Sequence, residues 1–163
     1  MKMKHLAALW VASSLAGCMS VPVTSTEFRD SVRQEGRYMD SYTAGRSFND
    51  VARTVKRMSD ECLNFSLTIK ENGIVKKPWA YANTTFVASP KRAELHFQRK
   101  IPKQIGTYHE KGMYYLVADM TPAGANKTKV DVYYWDDAAV AAKAIRGWAT
   151  GNMLGCPDPA EMF

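Results

Sequence analysis

Between Leu63 and Trp135 the chain repeatedly alternates apolar with polar residues. In "CLNFSLTIKENG", Leu63, Phe65, Leu67 and Ile69 take turns with Asn64, Ser66, Thr68 and Lys70, and Glu71-Asn72-Gly73 ends the run with turn chemistry. A period of two puts successive side chains on opposite faces of a strand, so each run has one face to bury. The alternation returns in "WAYANTTFVAS" and in "RAELHFQRKI", where Ala93, Leu95, Phe97, Arg99 and Ile101 oppose Glu94, His96, Gln98 and Lys100. Ser89-Pro90-Lys91 separates these two runs, which predicts a hairpin. "GMYYLVADM" and "KVDVYYW", joined by "TPAGANKT", predict a second hairpin, with Pro122 and Gly124 suited to the turn. An earlier strand fits Gly36–Gly45, with Tyr38, Asp40 and Tyr42 on one side and Met39, Ser41 and Thr43 on the other.

Strands of this kind need a cover, and two segments switch to helical spacing. Ser47 is a natural N-cap with Asp50 three residues on, and Phe48, Val51, Val55, Met58 and Cys62 form an apolar stripe, predicting a helix over 48–62. "DDAAVAAKAIRGWATGN" opens on Asp136-Asp137, read as capping charges, and aligns Ala141, Ala144, Ile145 and Trp148 on one face; Gly151-Asn152 suits its end. The expected class is α+β: a curled antiparallel sheet with two helices on one face, a single domain over 36–163. The layout loosely resembles the helix-grip domains of some envelope-assembly lipoproteins, in element order alone.

The first 18 residues carry a separate signal. Lys2, Lys4 and His5 precede ten apolar or small residues, Leu6 to Leu15, with no charge among them. That run is shorter than the roughly 20 residues a resident membrane-spanning helix requires. Leu15, Ala16, Gly17 and Cys18 then resemble the lipobox of bacterial lipoprotein precursors. The resemblance implies that the leader, 1–17, is removed, that Cys18 takes a thioether-linked diacylglycerol through its thiolate, and that the new amino terminus is acylated. Such anchoring is effectively permanent. Met19 stands where an aspartate would resemble an inner-membrane retention signal, so the expected address is the outer membrane, facing the periplasm. Residues 18–35 are polar, with one proline and several Ser/Thr, and read as a lipidated tether.

Removing 17 of 163 residues leaves 146, enough for one core, and takes away two lysines and no acid, lowering the formal charge from +6 to +4. With Cys18 lipidated, Cys62 and Cys156 remain as an even pair in an exported chain, where a bridge can close; the competing reading is two separate buried thiols.

Catalytic motifs are missing from the sequence. His96 and His109 are the only histidines after the leader, with no metal-ligand spacing beside them, and there is no Gly-x-Ser-x-Gly elbow or phosphate-binding glycine loop. Both histidines are expected at the surface. No metal and no cofactor is anticipated. The segment 89–112 carries Lys91, Arg92, Arg99, Lys100, Lys103 and Lys111 against Glu94 and Glu110, a candidate contact for anionic lipid or an acidic envelope protein, though an ordinary charged sheet face needs no partner. Nucleic acid is a poor partner outside the cytoplasm. Trp79, Tyr81, Tyr114, Tyr115, Tyr133, Tyr134 and Trp135 fit strand packing, or a groove if several are exposed. The expected function is a non-enzymatic binding or assembly module anchored in the envelope. The alternatives are a carrier holding a small apolar ligand or lipid between sheet and helices, and, less favoured, a hydrolase assembled from distant residues.

Overall fold

The computed structural model describes residues 21–35, 38–71, 74–100, 112–152 and 155–162, with backbone alone over 69–71 and 74–79. The elements run α1 (Ser25–Glu35), β1 (Met39–Ala44), α2 (Phe48–Cys62), β2 (Phe65–Glu71), β3 (Ile74–Ser89), β4 (Arg92–Lys100), β5 (Met113–Pro122), β6 (Thr128–Tyr134) and α3 (Ala139–Thr150). The six strands form one antiparallel sheet in the order β1-β6-β5-β4-β3-β2. Both predicted hairpins are present, β3 with β4 and β5 with β6.

Two helices cover one face, as the stripes require. Val51, Val55 and Met58 of α2 and Ala141, Ile145 and Trp148 of α3 pack on Leu95, Phe97, Leu116, Ala118, Val130 and Val132 of the sheet. The alanines of α3 let its backbone come close, and Trp148, fully buried, fills the space they leave. Ser47 caps α2, its Oγ accepting from the Asp50 N–H at 3.3 Å. Gly151 ends α3 in the left-handed region at φ 87°, and Arg46 donates to the Trp148 carbonyl at 3.0 Å, a cation at the negative helix end. Cys62, the last residue of α2, is disulfide-bonded to Cys156 just beyond α3, Cα–Cα 5.1 Å, so the bridge fastens the two helix ends.

The opposite face is also covered, which corrects the tether reading over its second half. Residues 25–35 are a helix, α1, that buries Phe28, Arg29 and Val32. Phe28 and Val32 pack on Val117 and Tyr133, a cross-strand pair whose side chains point away from α2 and α3. Thr24 and Glu27 form a reciprocal capping box: the Glu27 N–H donates to Thr24 Oγ1 and the Thr24 N–H to Glu27 Oε2, each at 3.1 Å.

Asp136 and Asp137 do not cap α3. They sit in a 3-10 turn, Asp136–Ala138, and the residue before α3, Ala138, makes no side-chain cap. Asp137 instead pairs with Arg99.

Candidate functional site

The basic residues of 89–112 that the structure describes, Lys91, Arg92, Arg99 and Lys100, are not gathered into one patch. Lys91 is exposed in the β3–β4 turn, and Arg92 begins β4. Lys100 ends the same strand, eight residues on, roughly 27 Å away at the usual strand rise. Arg99 is no surface contact: it is 3% exposed, lies over the Tyr115 ring, and donates to the Met162 carbonyl and to Asp137. Its place on the apolar side of the β4 alternation already put it on the covered face. Lys103, Lys111, His109, Cys18 and the leader lie outside the described residues.

His96 is not solvated either. It does fall on the polar side of β4, but α1 lies over that face. Its Nε2 shares a hydrogen bond with Glu94 Oε1, and its ring stands edge-on to Tyr114 with centroids 5.4 Å apart. Glu94 pairs with Asp119 across β4 and β5, and Asp119 pairs with Asp131 across β5 and β6, so three acids form one row on this face. Like charges placed opposite one another are destabilising unless cations separate them. Arg29 supplies one from α1, 2.8 Å from Glu94 Oε2 and 3.2 Å from Asp119 Oδ1. Arg92 bridges the same two acids and Lys129 holds Asp131 at 2.9 Å. Burial works to raise the Glu94 pKa, but hydrogen bonds from Ser25, His96 and Arg29 outweigh it and bring it down to about 2. For Asp119 burial dominates, and its pKa lies above the usual carboxylate value despite Arg92 and Arg29.

Beside this cluster α1 and the sheet bound a cleft of about 1030 Å³. Val21, Pro22 and Val23 form its entry wall and the side of α1 its rim. The floor is Met113, Tyr114 and Tyr115 at the start of β5, with Trp135. Phe28 holds the floor rings in place, edge-on to Trp135 at 5.5 Å and tilted against Tyr114 at 6.0 Å. Burial raises the pKa of both tyrosines, so their hydroxyls stay neutral. The titratable residues around the opening are Glu27, Asp30, Glu35 and Asp137, and no Lys, Arg or His is among the described lining residues. Glu27 is held ionised chiefly by the Val23 N–H, with Thr24 assisting. Asp30 meets Arg33 at 3.2 Å, while Glu35 makes no ion pair or hydrogen bond among the described residues.

Sequence reasoning missed this cleft because it missed α1. A signal was present: Thr24-Ser-Thr-Glu27 is a capping-box pattern, and Phe28 and Val32 stand four apart. Among the described residues no group of three or more His, Cys, Asp or Glu side chains is arranged to hold a metal ion. The chain matches no known protein family, and no curated protein is significantly similar to it.

Proposed function

We propose that this chain is a lipid-anchored envelope protein, held in the outer membrane and facing the periplasm, that binds a partner in the cleft beside α1 without catalysing a reaction. The anchor rests on the charged start, short apolar run and Leu15-Ala16-Gly17-Cys18 of the leader. The cleft carries the binding half of the reading, because it joins an apolar aromatic floor to a polar rim, the composition of a ligand site. Most polar groups near it are committed to structure, Glu94 to Arg29 and His96, Asp137 to Arg99, Asp30 to Arg33 and Glu27 to its helix cap, leaving Glu35 alone among the described lining carboxylates. A general acid or base needs a proton it can give or take at the substrate, which groups so engaged do not offer. The space between the sheet and α2 and α3 is occupied by Leu95, Phe97, Leu116, Ile145 and Trp148, all fully buried, which gives less support to a carrier holding its ligand there.

Cys18 stands three positions before Val21, a span of at most about 11 Å. On this reading the Val21–Val23 side of the cleft lies close to the membrane surface that holds the anchor, and its partner is sought there. A photo-crosslinking amino acid placed at Gln34, on the rim, tests the reading in intact cells. A discrete crosslinked species is expected at Gln34 and not at Lys127, in the distant β5–β6 turn. Equal labelling at both positions, or none at either, contradicts binding at the cleft.

A further inference from the structure

We infer that the cleft receives a polypeptide segment bearing lysine or arginine, contributed by a protein at the same membrane surface. This rests on the reading of the cleft as a binding site and names what it binds. The whole chain is formally +6, yet the rim has four carboxylates and no base among its described residues, against the trend of the molecule. Glu27, Asp30, Ser31, Gln34 and Glu35 line the α1 side over nine residues, about 12 Å of helix from first to last, the length of three to four residues of an extended chain. Gln34 offers an amide that can both donate to and accept from such a backbone. The floor of Met113, Tyr114 and Trp135 is neutral and apolar, suited to the methylene stems of lysine or arginine, while their charged ends reach the rim carboxylates. A volume of about 1030 Å³ exceeds what one small cation would fill and admits several side chains. Asp137 is paired with Arg99 and Asp30 with Arg33, so an anionic headgroup would meet chiefly Glu27 and Glu35, with no Lys, Arg or His among the described lining residues to attract it.

The test uses the mature lipoprotein purified in detergent and three end-blocked decapeptides with identical apolar residues and four lysines, four glutamines or four glutamates. Calorimetric titration is expected to show the lysine peptide binding, its affinity falling as salt is added, and the glutamate peptide failing to bind. Asp30→Lys with Glu35→Lys should weaken the lysine peptide about tenfold, in keeping with the loss of two partly exposed ion pairs. The same variant should admit the glutamate peptide, which also shows that the cleft remains folded. A glutamine peptide that binds as tightly as the lysine one, or lysine binding indifferent to the double reversal, overturns the inference. So does displacement of the lysine peptide by phosphatidylethanolamine bicelles, which would assign the cleft to a lipid amine. If no peptide binds while crosslinking at Gln34 persists, the cationic ligand is wrong and the binding site stands; if both fail, both fall.

Discussion

Arg29 of α1 places its Nη1 3.2 Å from Asp119 Oδ1 of β5, a partner ninety residues further along the chain. The contact joins the segment next to the proposed anchor to the middle of the sheet. It also neutralises a face on which Glu94, Asp119 and Asp131 stand in one row. The apolar pair Phe28 and Val32 buries α1, and Arg29 makes burial of the acids beneath it tolerable.

Replacing Arg29 by Met should leave two half-buried carboxylates with Arg92 as their shared counter-charge and cost about 1 to 3 kcal/mol. Urea unfolding reads the loss, and limited proteolysis should cut between Ser25 and Glu35 before the rest of the domain opens. Adding Glu94→Gln and Asp119→Asn to the same chain should recover most of the stability, because no uncompensated charge then remains. A triple variant as unstable as Arg29→Met alone would show that the ion pairs are not what holds α1.

Acid should weaken the domain through Glu94. Its pKa falls from an ordinary 4.5 to about 2 on folding, so the unfolded chain binds the proton more readily. The stabilisation is complete above pH 4.5 and lost as pH drops toward 2. Asp119, whose pKa is raised by burial, acts in the opposite sense and shallows the slope. Unfolding free energies measured from pH 6 to pH 2.5 should fall less steeply in Glu94→Gln than in the parent; parallel curves would contradict the assignment.

The Cys62–Cys156 bridge spans 94 positions and ties α2 to the segment after α3. Its loss through Cys62→Ala with Cys156→Ala should lower stability by roughly 4 to 5 kcal/mol in the loop-entropy account. Denaturant midpoints of the oxidised parent and the double variant measure this, and an unchanged midpoint would show that the bridge adds nothing.

Gly112 enters β5 at φ 90°, and a Cβ there would lie 2.5 Å from the Arg99 carbonyl oxygen. Backbone meets backbone, so neither side can give way cheaply. Gly112→Ala should destabilise by about 1 to 3 kcal/mol or more and disturb the cleft floor that begins at Met113. Thermal unfolding checks the first effect and peptide titration the second.

What could be read in advance depended on whether the relevant contacts were local. The stripe from Val51 to Cys62 and the alternations of β4 to β6 state their own periods, and both helices on the inner face follow from them. In α1 only Phe28 and Val32 are apolar, so the short stripe looks like solvated chain until the sheet supplies Val117 and Tyr133 to cover it. His96 shows the same limit: alternation correctly gives its face, but only the docking of α1 decides that this face is not water. In the sequence Asp137 reads as a helix cap because α3 follows directly, whereas its partner Arg99 is 38 residues earlier and reaches it only in the folded sheet. The cleft was illegible for the same reason, since its rim and its floor lie on elements far apart in the chain.

The proposed membrane anchor depends on the chemical state of residue 18, and intact mass measurement of the native product from membranes reads that state. The expected species begins at Cys18 and carries a thioether-linked diacylglycerol and an acylated amine. A chain recovered with residues 1–17 still attached and Cys18 unmodified would contradict the membrane anchor and the placement of the cleft beside it.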